Sequence, residues 1–386
     1  MNLNTELSAD LDQLKAAHLH RRMRRTESPP GPREVIDSRR MLVFGSNNYL
    51  GLATHPKVRE AAREATETWG AGASGSRLMS GNLDLHESLE RDLADFKHTE
   101  AALLFSSGYA ANLGSIPALV GPGDLILSDK LNHASLIDGC RLSRAELRIY
   151  DHVDGDHVRE LLYDRSRFRR CLIVTDGVFS MDGNLAPLTE LQPIAAEHGA
   201  WLYIDDAHGA GVLGGSGRGT LEYFGMQPGN TIQMGTLSKA LGSEGGYIAG
   251  SRILIDYLRN TARSFIFTTA PSPAPVAAAR AALRLLRAEP ERREQLTLNS
   301  GHMRALLSQR GLTVPYGVTP IIPVHIGSSE HALAVSARLE EAGVWAPAIR
   351  PPTVPDGAAR LRLSVMATHT VEDLEYAANA IAEAME

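Results

Sequence analysis

Two stretches, WLYIDDAHGAGVLG at 201–214 and TIQMGTLSKALG at 231–242, decide the fold that we predict for this chain. Each begins with an apolar run of the length of a buried strand, and each run ends in polar or small residues. Similar runs occur at Ala101–Phe105, Leu125–Leu127 and Cys171–Thr175, and helical patterns lie between runs. This alternation predicts an α/β fold with a mostly parallel central sheet flanked by helices.

The length and the change of character along the chain predict more than one domain. With 386 residues the chain exceeds a single typical core. After about residue 289 the alternation gives way to a polar helix at Glu291–Gln309, extended segments and a closing helix. We expect an N-terminal helical arm at 1–45, a large domain at 46–289 and a smaller C-terminal α+β lobe at 290–386. In the arm, the leucine spacing predicts an amphipathic helix over 3–20 that packs on the body of the protein.

Composition and charge exclude several classes of protein. The formal net charge of −6 does not suit sequence-independent binding of nucleic acid. No apolar run is long enough to cross a bilayer, and the first residues lack the pattern of a signal peptide. Only two cysteines occur, Cys140 and Cys171, and neither belongs to a CxxC motif. We expect no metal site, no disulfide, no nucleic-acid partner and no membrane contact, and this cysteine usage favours the reducing cytoplasm.

A basic cluster, HRRMRR at 20–25, interrupts the mildly acidic sequence near its start. One interpretation is a solvated helix end. The other is an anion site, because arginine can grip a carboxylate or a phosphate with two parallel hydrogen bonds. The sequence alone leaves both interpretations open.

Lysine is scarce, and one of the five lysines stands apart from the others. Lys15, Lys57 and Lys97 lie in charged helical contexts, where we expect them to be solvated. Lys239 instead follows an apolar run and has glycine and hydroxyl residues around it. A lysine that forms a Schiff base needs such a setting, because partial burial favours the neutral amine and small neighbours let the side chain move. The alternative is an ordinary lysine in a glycine-rich loop.

A carboxylate and an imidazole follow the preceding apolar run. Asp205 ends this run, and His208 comes three residues later. A carboxylate at such a position can pair with a protonated ring nitrogen of a cofactor, and the protonated ring then withdraws electrons from the α-carbon of an amino acid. An acidic strand end taken alone is more often a helix cap or a metal ligand. With Lys239 one βα unit later, it predicts a pyridoxal 5′-phosphate (PLP) enzyme that acts on amino acids.

Further strand ends carry groups that could contact such a cofactor. SSGYAAN at 106–112 offers backbone amides and hydroxyls at a predicted helix N-terminus, which is a ready site for an anion. His133 could stack on a planar ring, and DGVFSMDG at 176–183 follows the next apolar run. The Gly/Ser-rich loop at 71–77 is typical of a linker or a lid, and GSGRG at 215–219 lacks the spacing of a dinucleotide loop.

Taken in order, these motifs resemble the α-oxoamine synthase family of fold-type I PLP enzymes. The segments that carry the resemblance are SNNYLGL (46–52), SSGYAAN (106–112), NHASLIDG (132–139), DGVFSMDG (176–183), DDAHGAGVLG (205–214) and GTLSKALG (235–242). They span nearly the whole chain. The resemblance implies a PLP-dependent acyltransferase that works as a homodimer with active sites at the subunit interface.

The tail resembles one group within this family. IRPPTVP at 349–355 and RLRLS at 360–364 are similar to the members that condense L-alanine with pimeloyl-CoA, or with pimeloyl-acyl-carrier protein, in biotin biosynthesis. The resemblance implies these substrates and the loss of CO2 and free thiol. The alternatives are members that use glycine with acetyl-CoA, such as 2-amino-3-ketobutyrate CoA ligase, or serine with a long acyl-CoA. An aminotransferase and a non-catalytic subunit on the same fold are more distant alternatives.

The resemblance assigns roles around the cofactor to individual residues. Lys239 would hold PLP as a Schiff base, Asp205 would pair with the pyridinium nitrogen, and His208 would bind the ring hydroxyl. His133 would stack on the ring and act in catalysis with Lys239 and Asp205. The remaining cofactor contacts would come from Gly108, Tyr109, Ser180, Thr236 and, from the other subunit, Thr269.

The resemblance also implies a set of substrate contacts. They are Arg21, Asn47, His133, Ser180, Thr353 and Arg362. Among them, Arg362 would bind the carboxylate of the amino acid. Arg360 points the same way as Arg362 on a predicted strand, so the choice between the two arginines rests on the resemblance alone.

Overall fold

The structure of the protein, a computed structural model, describes residues 2–386. Its strands are β1 (Arg33–Ile36), β2 (Arg39–Val43), β3 (Ala101–Phe105), β4 (Leu125–Asp129), β5 (Glu146–Tyr150), β6 (Cys171–Asp176), β7 (Trp201–Asp205), β8 (Ile232–Thr236), β9 (Gly246–Gly250), β10 (Ile321–Gly327), β11 (Val344–Trp345), β12 (Ala348–Ile349) and β13 (Ala359–Ser364). Its helices are α1 (Leu3–Ala16), α2 (Pro56–Trp69), α3 (Asp84–Lys97), α4 (Gly108–Leu119), α5 (Ala134–Ser143), α6 (Gly155–Leu161), α7 (Leu188–Glu197), α8 (Thr220–Tyr223), α9 (Arg252–Thr261), α10 (Arg263–Ile266), α11 (Pro273–Ala288), α12 (Glu291–Gln309), α13 (Ser329–Glu341) and α14 (Val371–Met385). Strands and helices alternate from β3 to β8, as the sequence pattern predicts.

The central sheet has seven strands in the order β3-β9-β8-β7-β6-β4-β5. Neighbours from β8 to β5 pair in parallel, whereas β9 pairs antiparallel with both β3 and β8. Every residue of β4, β6, β8 and β9 is buried, as is usual in a sheet that helices cover on both faces. The prediction of an α/β fold with a mostly parallel central sheet is confirmed.

The contacts divide the chain into two compact units. The first, which we call the large unit, comprises Leu50–Ser180 and Asn184–Glu294 and contains the seven-stranded sheet. The second, which we call the terminal unit, comprises the described residues up to Tyr49 together with Met181–Gly183 and Gln295–Glu386.

The terminal unit is built on two three-stranded sheets, β1-β2-β11 and β10-β13-β12. Its core is an apolar cluster to which α12, α13 and α14 contribute, and in which Phe44 and Leu363 are fully buried. The unit therefore combines the N-terminal segment with the C-terminal part of the chain. The domain bounds at 1–45, 46–289 and 290–386 stay a prediction.

The N-terminal helix α1 is shorter and more exposed than the leucine pattern predicts. It begins after Asn2, whose side chain accepts a hydrogen bond from the amide of Asn4 at 3.1 Å, and it ends at Ala16 rather than near residue 20. None of its residues is buried, and Leu3 is 68% exposed. The expected packing of α1 on the body is therefore not found among residues 2–386, because amphipathic spacing predicts an apolar face but not its partner.

A buried ion pair fixes one end of the Gly/Ser-rich loop at 71–77. Arg77 donates from both Nη atoms to Glu90, at 2.9 and 3.0 Å, and the two side chains are 5% and 7% exposed. Glu90 also accepts a hydrogen bond from the amide of Leu104 in β3 at 2.9 Å. The loop is therefore anchored at this end to α3 and to the central sheet.

Replacing Arg77 by methionine should lower the free energy of unfolding by about 3–5 kcal/mol, because the carboxylate of Glu90 would stay buried without its partner. Urea unfolding followed by far-UV circular dichroism measures the loss. Arg63→Met is the matched control and should change little, because Arg63 pairs with Glu60 and Glu67 on the exposed face of α2. If both variants lost the same free energy of unfolding, burial would not be the reason for the large contribution of the pair of Arg77 and Glu90.

Candidate active site

The ends of neighbouring parallel strands bring polar side chains to one edge of the sheet in the large unit. In the register of β6 and β7, Asp176 lies beside Asp205, and Asp205 lies beside Met234 of β8. Thr236 ends β8, and Lys239 follows in the loop after it. Ligands of parallel sheets bind at the carboxyl ends of the strands, so these residues define the candidate active site.

The amine of Lys239 lies 2.7 Å from Nε2 of His208. Lys239 is half-buried and His208 is 5% exposed, so the contact is largely shielded from water. Thr236 Oγ1 lies 2.8 Å from Ser238 Oγ and donates to the carbonyl of Gly245 at 2.9 Å, which shapes the loop before the lysine. A half-buried amine in contact with an imidazole can act both as a nucleophile and as a proton carrier.

Two carboxylates lie side by side in this site. Asp205 is 3% exposed, its Oδ2 accepts a hydrogen bond from Asn112 Nδ2 at 2.7 Å, and its Oδ1 accepts one from the amide of Ala207 at 3.1 Å. Burial, and then repulsion by Asp205, hold the pKa of Asp176 well above its usual range. A cation beside the two carboxylates would relieve this repulsion. The pair therefore suits a positively charged ring nitrogen.

His133 lies at the start of α5, with its ring accessible from solvent. Its backbone amide donates to Asp176 Oδ2 at 2.7 Å, and its Nδ1 lies 2.7 Å from Ser135 Oγ. Although the residue is exposed, desolvation by the surrounding protein lowers the pKa of His133, and Asp205 opposes this shift. At neutral pH the imidazole is therefore uncharged and can stack on a planar cofactor.

The N-terminus of α4 provides an anion site next to the end of β8. Ser107 caps the helix by accepting a hydrogen bond at 3.0 Å from an amide of the first turn. A Cβ at Gly108 would lie 2.8 Å from Met234 Cε, and a Cβ at Gly246 would lie 2.5 Å from the amide nitrogen of Gly108. Glycine at these positions lets the helix and the strands approach closely. The first amides of α4 then lie beside Thr236, where they could bind a phosphate.

Three other residues of the predicted cofactor set lie nearer the surface. Tyr109 is 44% exposed and donates its hydroxyl to Asp138. Ser180 is half-buried in the segment after β6. Thr269 is exposed on the connection between α10 and α11, so the chain by itself leaves this hydroxyl at the surface.

Lys97 is buried in the structure, so the prediction of a solvated side chain is wrong. Its side chain is 1% exposed, and its Nζ donates to Asp206 Oδ2 at 2.9 Å and to the carbonyl of Arg218. Lys97 lies in the last turn of α3, and a basic residue at the end of an amphipathic helix is normally solvated, which misled the interpretation. Since Asp206 directly follows Asp205, this ion pair fixes the strand end that carries Asp205.

The carboxylate of Asp206 is enclosed by neighbouring backbone and hydroxyl groups. It accepts hydrogen bonds from the hydroxyl of Thr220 at 3.0 Å and from its amide at 3.2 Å. A Cβ at Gly209 or at Gly219 would fall 2.1 or 1.7 Å from its oxygens. Burial raises the pKa of Asp206, and Lys97 acts against this shift. Gly219 in the GSGRG segment therefore makes room for a buried carboxylate.

Asn112 and Ser135 are site residues that the sequence analysis missed. Asn112 Nδ2 donates to both Ser135 Oγ, at 2.8 Å, and Asp205 Oδ2. Asn112 and Ser135 lie in the SSGYAAN and NHASLIDG motifs, but their spacing does not mark them as functional. Asn112 could have been identified as a polar residue in the largely apolar helix α4, because a buried amide needs hydrogen-bond partners.

The terminal unit carries the residue predicted to bind the amino-acid carboxylate. On β13, Arg362 Nη1 donates to Asn47 Oδ1 at 3.0 Å and to Ser364 Oγ at 2.7 Å. Arg360, two residues before it, pairs with the carboxylate of Asp182. The two arginines of β13 therefore have different partners in the structure.

A cavity of ≈ 560 Å³ in the terminal unit is lined by the basic cluster and by the tail motif. Arg21 Nη2 donates to Thr353 Oγ1 at 3.3 Å, and Arg350 lines the same cavity. Burial, and then the charge of Arg21, lower the pKa of Arg350. Because α1 ends at Ala16, residues 20–25 are not a helix end, and the cavity favours their interpretation as an anion site.

The two cysteines are buried, unbridged thiols. Burial raises the pKa of Cys140 to about 12 and that of Cys171 to about 11, so neither is a reactive thiolate at neutral pH. Among residues 2–386, no group of three or more His, Cys, Asp or Glu side chains is placed to hold a metal ion. No helix within the same range is long and apolar enough to cross a membrane.

The model of the aminotransferase class I and II family matches residues 39–381. The chain belongs to this family. The 8-amino-7-oxononanoate synthase of Geobacter metallireducens is 51% identical to the chain over 377 residues, which are 97% of this chain and 96% of that protein.

Two solved structures share the fold. A serine palmitoyltransferase from S. paucimobilis with a bound PLP–myriocin aldimine has a TM-score of 0.93 and 31% identity, and the match covers 100% of this chain and 98% of that one. The 8-amino-7-oxononanoate synthase of Francisella tularensis has a TM-score of 0.78 and 30% identity, over 89% of this chain and 97% of that one. These likenesses confirm the predicted fold-type I PLP transferase fold and the predicted cofactor, PLP.

The residues at the strand ends fit this cofactor. The paired carboxylates of Asp176 and Asp205 suit a protonated pyridine nitrogen, and the glycines at 108 and 246 let the start of α4 approach Thr236, where helix amides and a hydroxyl suit a phosphate. Lys239 and His208 supply an amine and an imidazole in one contact. The donor set therefore matches a planar, anionic, carbonyl-bearing ring.

Lys97→Met should lower the free energy of unfolding by about 3–5 kcal/mol, because it leaves the carboxylate of Asp206 buried without its cation. The double variant Lys97→Met/Asp206→Asn should recover part of this loss, since the neutral amide still presents an oxygen to Thr220. Urea unfolding of the unaltered holoenzyme, the two single variants and the double variant gives the four free energies of a double-mutant cycle. Simple additivity of the two single losses would show that the side chains do not act as a pair.

Proposed function

We propose that this enzyme condenses L-alanine with a pimeloyl thioester to give 8-amino-7-oxononanoate, CO2 and free thiol, a step of biotin biosynthesis. The acyl donor is pimeloyl-CoA or pimeloyl-acyl-carrier protein. The observation that carries the proposal is the similarity, over nearly the whole chain, to proteins named 8-amino-7-oxononanoate synthase. The charged groups of both units support it.

Bound at the strand ends, PLP supplies an electron sink for the negative charge that develops on Cα of the amino acid. We assign to Asp205 the task of keeping the ring nitrogen protonated, which its burial beside Asp176 favours. His208 binds the ring hydroxyl and contacts Lys239. Lys239 would hold the cofactor through Nζ, and the same amine, when it is not bound to the cofactor, could carry the proton from Cα of the substrate.

The phosphate and the ring face have their own residues in this proposal. Gly108 and Tyr109 at the start of α4 present amides to the phosphate, and Thr236 adds a hydroxyl. His133 stacks on the ring and donates to the acyl carbonyl, and Ser180, in the segment after β6, contacts both the cofactor and the substrate.

The carboxylate of L-alanine is the ligand that we assign to Arg362. Its contacts with Asn47, Tyr49 and Ser364 fix the guanidinium, so that little side-chain entropy is lost when substrate binds. A planar guanidinium can bind a carboxylate with two parallel hydrogen bonds. Arg360 lies two residues away and pairs with Asp182, and the choice of Arg362 follows the resemblance of the RLRLS motif.

The far end of the pimeloyl group is the anion that suits the cavity of the basic cluster. A pimeloyl thioester carries a free carboxylate, whereas acetyl and palmitoyl thioesters do not. Arg21 and Arg350 lie in one cavity, and the depressed pKa of Arg350 reflects in part their mutual repulsion. A carboxylate between them would offset this repulsion, and Thr353 would add a hydroxyl. This feature favours pimeloyl over the other acyl groups.

We also infer a homodimer that works in the cytoplasm. The amide of Ala270 donates to the carbonyl of Gly75 at 2.9 Å, which joins the segment of Thr269 to the Gly/Ser-rich loop. Near these residues in the sequence, Met79 and Phe267 are 84% and 72% exposed, and large apolar side chains with this exposure suit a surface that another subunit covers. A partner subunit that covers this surface would meet Thr269, which then reaches the phosphate of the partner's cofactor.

The pairing of amino acids with acyl thioesters tests the reaction itself. L-Alanine, glycine and L-serine are each combined with pimeloyl-, acetyl- and palmitoyl-CoA and with pimeloyl-acyl-carrier protein, and thiol release is followed. Only the pairs of L-alanine with a pimeloyl donor should turn over rapidly and yield CO2. Faster release with glycine and acetyl-CoA, or amino transfer from alanine to a 2-oxo acid, would replace the proposal by one of the alternatives.

Arg21→Gln should raise KM for pimeloyl-CoA about 10- to 100-fold, because one charge-assisted contact to the distal carboxylate is lost. KM for L-alanine should not change. Heptanoyl-CoA has the same chain length without the distal carboxylate, and its weaker turnover should not respond to the substitution. Arg39→Gln is the control, because Arg39 is an exposed arginine that donates to the carbonyl of Glu341. A matching KM rise for heptanoyl-CoA would refute the carboxylate site.

A further inference from the structure

Asn112 forms a buried junction between the two sides of the cofactor site. It is 0% exposed, and its Nδ2 donates to Asp205 Oδ2 at 2.7 Å and to Ser135 Oγ at 2.8 Å. Its Oδ1 accepts a hydrogen bond from the hydroxyl of Tyr203 at 2.8 Å. Ser135 in turn lies 2.7 Å from Nδ1 of His133. A continuous chain of short hydrogen bonds therefore joins His133 to Asp205.

The direction of the bonds at Asn112 follows from the chemistry of its neighbours. An ionised carboxylate can only accept, so the amide must turn its Nδ2, which has two hydrogens, toward Asp205. The second hydrogen of Nδ2 then reaches Ser135 Oγ. Oδ1 is left to face Tyr203, whose hydroxyl donates to it. With this orientation, all three polar contacts of the amide are satisfied.

The hydrogen of the Ser135 hydroxyl is directed by the same logic. Its oxygen accepts from Asn112, so its own hydrogen is available for Nδ1 of His133. The backbone amide of Ser135 also donates to Nδ1, at 3.3 Å. Two donors aimed at one ring nitrogen require a lone pair there, which places the proton of the neutral imidazole on Nε2.

We propose that Asn112 and Ser135 are positioning residues that hold His133 as the neutral tautomer with its proton on Nε2 and that tie this state to the carboxylate of Asp205. The proposal deepens the proposed function, because Nε2–H is the atom that His133 would present to the acyl carbonyl. A donor of fixed orientation at this point stabilises the charge that develops on the carbonyl oxygen.

The charged groups around His133 are consistent with a neutral ring. Asp205 and Asp138 favour its protonation, whereas burial and Lys239 oppose it. Asp176 accepts a hydrogen bond from the backbone amide of His133 rather than from its ring. No acid among these contacts Nδ1 in place of Ser135.

Nitrogen NMR of the holoenzyme labelled with ¹⁵N-histidine tests the tautomer directly. The ring signals of His133 are identified by their loss in His133→Asn. In the unaltered protein, Nδ1 should show the shift of an unprotonated nitrogen and Nε2 that of a protonated one. The reverse pattern would overturn the proposal, whatever the substrate of the enzyme is.

Ser135→Ala tests the part played by the hydroxyl. Without this donor the lone pair on Nδ1 is easier to protonate, so the pKa of His133 should rise by about one unit, the equivalent of one hydrogen bond. Ser135→Thr keeps a hydroxyl and should restore the original titration. Ser143→Ala removes a buried hydroxyl from the other end of the same helix and is the matched control. An unchanged pKa in Ser135→Ala would overturn the proposal.

Asn112→Ala tests the coupling. It removes the bond to Asp205 together with the donor that orients Ser135, so it should raise the pKa of His133 and also speed the dissociation of PLP. Ser135→Ala should affect His133 alone. In the double variant the pKa of His133 should rise no further than in Asn112→Ala, whereas additive rises would refute a shared relay. These readouts do not depend on the acyl thioester, so the proposed reaction and the relay can fail separately.

Discussion

Two buried carboxylates, Asp176 and Asp205, end neighbouring parallel strands, and the rest of the site depends on them. Like charges this close are costly in a poorly hydrated setting, so the pair needs donors around it and a cation beside it. The donors are the amides of His133 and Ala207 and the side chain of Asn112. The βα topology makes this arrangement possible, because parallel neighbours end at the same edge of the sheet.

The regular elements could be predicted because burial leaves a pattern in the sequence. The apolar run at Ala101–Phe105 and the extended segment at Ala359–Ser364 coincide with strands of the structure. Two strands of the central sheet were missed. Gly246–Gly250 has glycine at both ends, and Glu146–Tyr150 lies at the sheet edge, where partial exposure mixes charged and apolar residues. Neither has the uninterrupted apolar run of a central parallel strand.

The functional importance of residues at strand ends could be predicted from the sequence, whereas that of the buried residues that contact them could not. Lys239 and Asp205 each follow an apolar run, so the sequence marks their positions. Lys97 and Asn112 act through partners far along the chain, and their local patterns describe a solvated helix end and a helix interior. Contacts of this kind depend on how helices pack against the sheet, which periodicity does not encode. Lys97 and Asn112 are both polar groups that need hydrogen-bonding or charged partners because they are buried.

The charge of Asp205 orders side chains beyond the ring contact that we propose for it. Because an ionised carboxylate only accepts, it fixes the amide of Asn112, and the amide fixes the hydroxyl of Ser135. An uncharged group at this position could both donate and accept. The amide of Asn112 and the hydroxyl of Ser135 could then reverse their orientations together, and Nδ1 of His133 would carry the proton. The charge to which we assign the protonation of the ring nitrogen would therefore also select the tautomer of His133. One buried carboxylate would thus orient both the groups that we assign to the nitrogen edge of the cofactor and the imidazole that we assign to its face.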